Sequence, residues 1–155
     1  MRELSDQALA TFRRVKDSTI SYIVDAGPLI GFLDVDDQWH EWSCQTLALL
    51  DGPLATTETA LAEACHRLRR TRPALEALPI FIAQGRLRLI PVFSDQPARV
   101  GELLAKYPQM DAGDATLVVL SEQIPGARLI TLDEDFLHYR RNRHQTIPVV
   151  MPRQN

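Results

Sequence analysis

The chain has 155 residues, a size for one compact domain that buries about two thirds of its unfolded surface and needs no covalent staples. Its 45% hydrophobic and 24% charged content is that of a globular protein, its two cysteines (Cys44 and Cys65) are too few for a disulfide scaffold and read as reduced core residues, and no apolar run is long enough to cross a bilayer. The formal net charge of −3 argues at face value against a nucleic-acid partner, whose phosphates reward a basic surface.

Residues 1–18 form an N-terminal extension ahead of the first strand and lack the continuous apolar stretch of a secretory signal, so a cytoplasmic protein with no membrane partner is the expectation. Leu4, Ala8, Phe12 and Val15 fall on one side of a helix there. That stripe packs on the domain, serves a partner or belongs to a frayed end, and the sequence leaves all three open. A single unit is expected over 19–152. Its first strand is Ile20–Val24, ending at Asp25, with Gly27 and Pro28 as breakers. The acidic loop Asp34-Val35-Asp36-Asp37 lacks the glycine and terminal glutamate of an EF-hand and reads as a solvated helix cap. A helix is expected from about Gln38 to Leu50, closed by Gly52-Pro53. A strand follows over Leu54–Thr56, then a helix over Thr57–Arg70 with Ala60, Leu61, Ala64 and Leu68 on one face, ended by Pro73. Ala74–Ala83 reads as helix and Arg86–Val92 as strand. Arg99–Lys106 and Ala115–Glu122 read as helices, Leu129–Leu132 as a strand ending at Asp133, and Ile147–Val150 as a fifth strand. Strands alternating with helices predict an α/β fold with a mainly parallel sheet.

Two acids share one placement. Asp25 follows SYIV and Asp133 follows RLITL, and in an open α/β sheet the carboxyl ends of strands face the ligand crevice. Either alone would pass for a turn or N-cap aspartate; two after separate apolar strands point to function. Glu63 sits at the edge of an apolar helix face beside Ala60, where it also reads as a surface partner of Arg67 four residues on. Glu63 and His66 form one E-x-x-H, but a di-iron bundle needs two such motifs and more glutamates, so His66 is expected to flank the site or lie exposed. Asp111 and Asp114 open an apolar helix as N-cap and first-turn acid, a role compatible with projecting into a cleft. A carboxylate cluster suits Mg²⁺ or Mn²⁺, which take oxygen ligands, neutralise phosphate oxygens and activate water; with no Cys/His set, zinc is disfavoured. Setting the four clustered acids aside leaves the remaining surface slightly positive. Arg67, Arg69, Arg70 and Arg72 form one basic cluster and Arg140, Arg141 and Arg143 another, each readable equally as an RNA contact or a solvated face.

These segments together resemble the PIN domain, most closely the single-domain VapC-type toxins of bacterial toxin–antitoxin pairs. VDAGPLIGFLD is similar to that family's first motif and maps to Asp25. TALAEACHRL maps to Glu63. MDAGDATLVVLSE is similar to the acidic apolar helix, its matching acid Asp114, with Asp111 where many members carry another aspartate. LITLDEDF matches the Thr-x-Asp strand end, mapping to Thr131 and Asp133, with Asp135 as a candidate auxiliary ligand. The resemblance runs from about Ser21 to Val150. It implies a three-layer α/β/α sandwich with about five central strands and an Mg²⁺- or Mn²⁺-dependent endoribonuclease whose catalytic and metal residues are Asp25, Glu63, Asp114 and Asp133. Thr131 supports them, and Arg67, Arg70, Arg140 and Arg141 are candidate RNA contacts. It further implies a cognate antitoxin and a homodimer. The rival within the family is an inactive module that only binds RNA or a protein. A haloacid-dehalogenase phosphatase would need a second aspartate where Gly27 stands, and a phospho-receiver would need an acidic pair at the first strand and a lysine near the last; the chain has neither in place.

Overall fold

The structure, a computed structural model, describes residues 20–153; the Leu4–Val15 stripe and the whole 1–18 extension lie outside the described residues. The strands are β1 (Tyr22–Val24), β2 (Leu54–Thr57), β3 (Leu87–Ile90), β4 (Arg128–Ile130), β5 (Arg140–Arg141), β6 (Gln145–Thr146) and β7 (Val149–Val150). The helices are α1 (Ala26–Leu33), α2 (His40–Ala48), α3 (Glu58–Arg67), α4 (Arg72–Ala83), α5 (Val92–Asp95), α6 (Pro97–Lys106) and α7 (Ala112–Gln123). Five strands form one parallel sheet in the order β3-β2-β1-β4-β7, and β5 pairs with β6 as a separate antiparallel hairpin.

Strand alternation sorts the interior into two cores, one on each face, which makes the three-layer α/β/α architecture. In register, Ile23, Ala55, Leu129 and Val149 face a core with Val92, Val100, Leu103 and most of α7. Tyr22, Val24, Leu54, Leu87, Ile130 and Val150 face the other, with Leu29 and Ile30 of α1 and Ala74 and Leu78 of α4. Helix α7 is buried almost all round, from Ala115 to Ser121, as expected of a helix within the core. The chain runs from β1 through β2 to β3 on one side and then returns to place β4 on the other side of β1. That reversal is a topological switch point, and it opens a crevice outside the carboxyl ends of β1 and β4.

The α/β sheet expectation holds, and the departures from the expected elements have local causes. Gly27 and Pro28 do not break the chain after β1. They lie in the first turn of α1, where proline's missing N–H would have had no intrahelical partner and its fixed φ suits a helix. Pro73 likewise sits in the first turn of α4 rather than merely ending α3, and the 3₁₀ turn Leu68–Arg70 lies between the two helices. The third strand ends at Ile90, and Val92 belongs to the single turn α5. The β5–β6 hairpin was not foreseen, because its turn has no glycine: Asn142 and Arg143 take positive φ values of 47° and 72°. Cys44 and Cys65 are free, half-buried thiols, as expected for reduced cysteines, with Cys65 packed against the core. Among the described residues no helix is long and apolar enough to cross a membrane.

Candidate functional site

The two strand-end acids are joined by one threonine. Asp25 caps α1, its Oδ1 accepting the Ala26 N–H at 2.6 Å, while its own N–H donates to the Ile130 carbonyl across the β1–β4 seam at 3.0 Å. Thr131, fully buried, donates from Oγ1 to Asp25 Oδ2 at 2.7 Å and accepts the Asp133 N–H at 3.0 Å. Asp133 caps the 3₁₀ turn Glu134–Leu137 by accepting the Asp135 N–H at 2.9 Å. An extended chain leaving a parallel strand thus turns sharply at each acid, and side-chain capping fixes both carboxylates at the crevice.

The helix-borne acids reach the same place from the other direction. Helix α7 precedes β4 and runs against it, so its N-terminus lies at the carboxyl edge of the sheet. Asp111 caps it by accepting the Asp114 N–H at 2.8 Å. Asp114 Oδ2 accepts from the hydroxyl of Tyr139 at 3.2 Å, and that buried ring is held edge-on by Phe136 and Tyr107. Thr57 caps α3 through the Ala60 N–H, and its hydroxyl meets that of Thr116 on α7 at 2.8 Å, a buried bond that clamps the two acid-bearing helices together. Gly113 leaves room there: a Cβ on it would stand 3.2 Å from Asp111 Oδ1 and 3.7 Å from Glu63 Oε2.

Asp25, Glu63, Asp111, Asp114 and Asp133 therefore line one cleft of about 400 Å³, together with Gly27, Asp37, Gln38, Trp39, Arg67, Leu132 and Glu134. Crowding like charges at a partly desolvated site favours protonation. The Asp25 carboxyl rises from 3.8 to about 6, chiefly through burial, with Thr131 and the Ala26 N–H opposing and Glu63 and Asp133 adding repulsion. Asp114 rises to about 7, first through burial and then through Asp111, Asp25 and Asp133. Glu63 is raised by desolvation, then by Asp111; Arg67 opposes. Tyr139 is raised by burial and by Asp114, which keeps its hydroxyl a donor.

The structure brings Asp25, Glu63, Asp111, Asp114, Asp133 and Arg67 to the cleft wall. It does not bring Asp135, Arg70, Arg140 or Arg141 there. Arg140 donates to the carbonyls of Leu137, His138 and Tyr139, and Arg141 to those of Ser121 and Pro125, so both guanidinium groups fasten chain turns. His66 is exposed, as expected. Of the acidic loop, Asp34 and Asp37 accept the N–H groups of Asp36 and Trp39 in tight turns, and Asp37 also reaches the cleft. Sequence reasoning missed Tyr139 and Trp39. Nothing local marks Tyr139, whereas Trp39 had a usable signal: an aromatic directly after an acidic loop, at the entry of a helix whose inward face already has Trp42.

The donors suit a hard divalent cation. They are all carboxylate oxygens, and the raised carboxyls are those that a positive ion would relieve. No three His, Cys, Asp or Glu side chains among the described residues are gathered tightly enough to enclose an ion by themselves. An open spacing fits Mg²⁺, which keeps several waters and takes only one or two carboxylates directly.

Solved structures share this architecture. One is a Mycobacterium tuberculosis toxin, VapC20, that cleaves the sarcin–ricin loop, with TM-score 0.66 and 20% identity over 74% of this chain and 92% of that one. A toxin–antitoxin complex from Klebsiella pneumoniae gives 0.57 and 19% over 75% and 90%, and VapBC2 from Rickettsia felis, bound to a DNA fragment from its promoter, gives 0.58 and 16% over 86% and 100%. At these identities the likeness is one of fold. No curated protein sequence matches the chain significantly. Residues 22–142 match the PIN domain, a span that opens at β1, closes in the β5–β6 hairpin and takes in every acid of the cleft, and the chain belongs to the PIN domain family.

Proposed function

We propose that this protein is a metal-dependent endoribonuclease and the toxin of a VapBC-type toxin–antitoxin pair. The observation that carries the reading is the convergence of Asp25, Glu63, Asp111, Asp114 and Asp133, from separate elements, on one cleft at the switch point of the sheet. Membership of the PIN family supports nuclease chemistry, and the toxins and toxin–antitoxin complexes that share the fold support the biological role.

Asp25, Glu63, Asp114 and Asp133 would hold the cation, one or two of them directly and the others through its waters, with Asp111 beside them. Mg²⁺ or Mn²⁺, when bound there, would supply charge neutralisation at the phosphate and would lower the pKa of a bound water. Thr131 aims Asp25 and, by hydrogen bonding to its charged form, opposes the rise that burial causes, and Tyr139 does the same for Asp114. Arg67, on the cleft wall, offers a positive charge to the RNA backbone. The substrate is RNA. The partners are a cognate antitoxin that blocks the cleft and a second copy of the chain in a homodimer, which light scattering at micromolar concentration tests.

The decisive experiment incubates the purified protein with RNA after chelation and again with Mg²⁺ or Mn²⁺ restored. Cleavage that depends on the metal and vanishes in Asp25→Asn supports the reading. RNA bound but left intact under every divalent metal would leave only the binding-module alternative. For the biological role, expression should arrest growth, and co-expression of a small neighbouring gene should relieve it.

A further inference from the structure

Among the described residues, Trp39 is the one large aromatic side chain on the wall of the cleft, which is otherwise lined mostly by carboxylates and other polar groups. It is 37% exposed, although Trp42, one turn further along α2, is half-buried and packs against the core. Neither core burial nor capping accounts for an indole at this position. Trp39 is the N-cap of α2, a place that favours Ser, Thr, Asp or Asn, and its side chain makes no capping bond.

The backbone beneath the ring is firmly held. The Trp39 N–H donates to Asp37 Oδ1 at 2.8 Å, and its carbonyl accepts the Ser43 N–H at 2.9 Å. Gly31 packs closely under that carbonyl: a Cβ there would stand 3.2 Å from the Trp39 oxygen. A fixed main chain thus presents a partly exposed aromatic face beside the carboxylates, with the exposed amide of Gln38 next to it and Arg67 on the same wall. A flat ring, an amide and a guanidinium flanking a phosphodiester site suit an unpaired base with its phosphate: ring stacking takes any base, the amide reaches a base edge and the guanidinium meets the backbone.

We propose that Trp39 is the stacking platform of a nucleobase subsite, which holds one unpaired base of single-stranded RNA next to the carboxylate cleft, with Gln38 and Arg67 as its polar neighbours. This rests on the ribonuclease reading and adds to it a requirement for an unpaired base beside the cut. Duplex RNA, its bases already stacked on one another, is a poor occupant.

The test uses the Trp42→Phe protein with Mg²⁺, so that Trp39 is the sole indole of the two in the chain. Rapid mixing reads its fluorescence before cleavage proceeds. A mixed-sequence single-stranded RNA decamer should quench it saturably, while an abasic ribose-phosphate chain of equal length and a blunt RNA duplex should not. In the otherwise native protein, Trp39→Ala should weaken decamer binding by about five- to 150-fold, the range of one lost stack, and Trp39→Phe should recover most of that. The slope of log affinity against log salt should stay the same, because no phosphate contact is lost. Decamer binding that Trp39→Ala leaves intact, or equal quenching by the abasic chain, overturns the subsite and leaves the ribonuclease reading standing. A protein that neither binds nor cleaves RNA overturns both.

Discussion

Thr131 donates its hydroxyl hydrogen to Asp25 Oδ2 at 2.7 Å, joining the ends of two adjacent strands that lie 106 residues apart in the chain. The same oxygen accepts the Asp133 N–H, so one buried side chain sets the geometry of two of the cleft's acids. Thr131→Val keeps the shape and removes both bonds. RNA cleavage should fall about 10- to 100-fold, the usual cost of losing a partner behind a metal ligand, with Thr131→Ser recovering most of it. Full activity in Thr131→Val with loss in Thr131→Ser would mean that the methyl group, not the hydroxyl, matters.

The metal-free protein should become less stable as pH rises from about 4 to about 8. Asp25 and Asp114 have folded-state values of about 6 and about 7, above their ordinary 3.8, so the folded state binds protons more tightly than the unfolded one. Their stabilising contribution is fully present below the unfolded value and is lost as pH climbs through the folded values. Thermal melts in EDTA across this range check it, and Asp114→Asn should flatten the decline.

Adding Mg²⁺ or Mn²⁺ should raise the melting temperature, and more so at about pH 8 than at about pH 5, because the cation competes with protons for the same carboxylates. At a hundredfold excess over Kd the gain is about 2.7 kcal/mol. Asp25→Asn should lose most of the shift. A metal-induced shift independent of pH would place the ion elsewhere.

Tyr139→Phe removes a hydrogen bond to Asp114 while leaving the ring packed between Phe136 and Tyr107. A loss of about 1 kcal/mol in stability is expected. The more specific outcome concerns pH: without the hydroxyl, Asp114 ionises less readily, so the alkaline rise in metal affinity should move to higher pH. Calorimetric metal titrations at several pH values would detect it.

The arginines should separate by role. Arg67→Ala should weaken RNA binding and reduce the salt slope by about one phosphate contact. Arg141 donates to the carbonyls of Ser121 and Pro125, so Arg141→Ala should lower the melting temperature and leave the salt slope alone. A salt slope that responds to Arg141 and ignores Arg67 would reverse the assignment.

What the sequence determined by itself was whatever a short stretch of chain can encode. Apolar runs ending in Asp25 and Asp133 announce parallel strands with acids at their carboxyl ends, and Asp111 with Asp114 announces a capped helix start, because strand burial and capping depend on neighbours a few residues away. Helix α1 was lost at the same level: Gly27 and Pro28 are breakers in a helix interior and harmless in its first turn, and only the position of the N-cap tells the two apart. Tertiary structure alone decided which polar groups meet. The Thr131–Asp25 and Thr57–Thr116 bonds span 106 and 59 residues, and Tyr139 reaches Asp114 across 25. It also withdrew Arg140 and Arg141 from the cleft by giving their guanidinium groups carbonyls to bind, and it set Trp39 on the cleft wall. Local patterns record which face of an element is buried; the partner of a polar side chain is fixed only when the sheet order brings distant elements into contact.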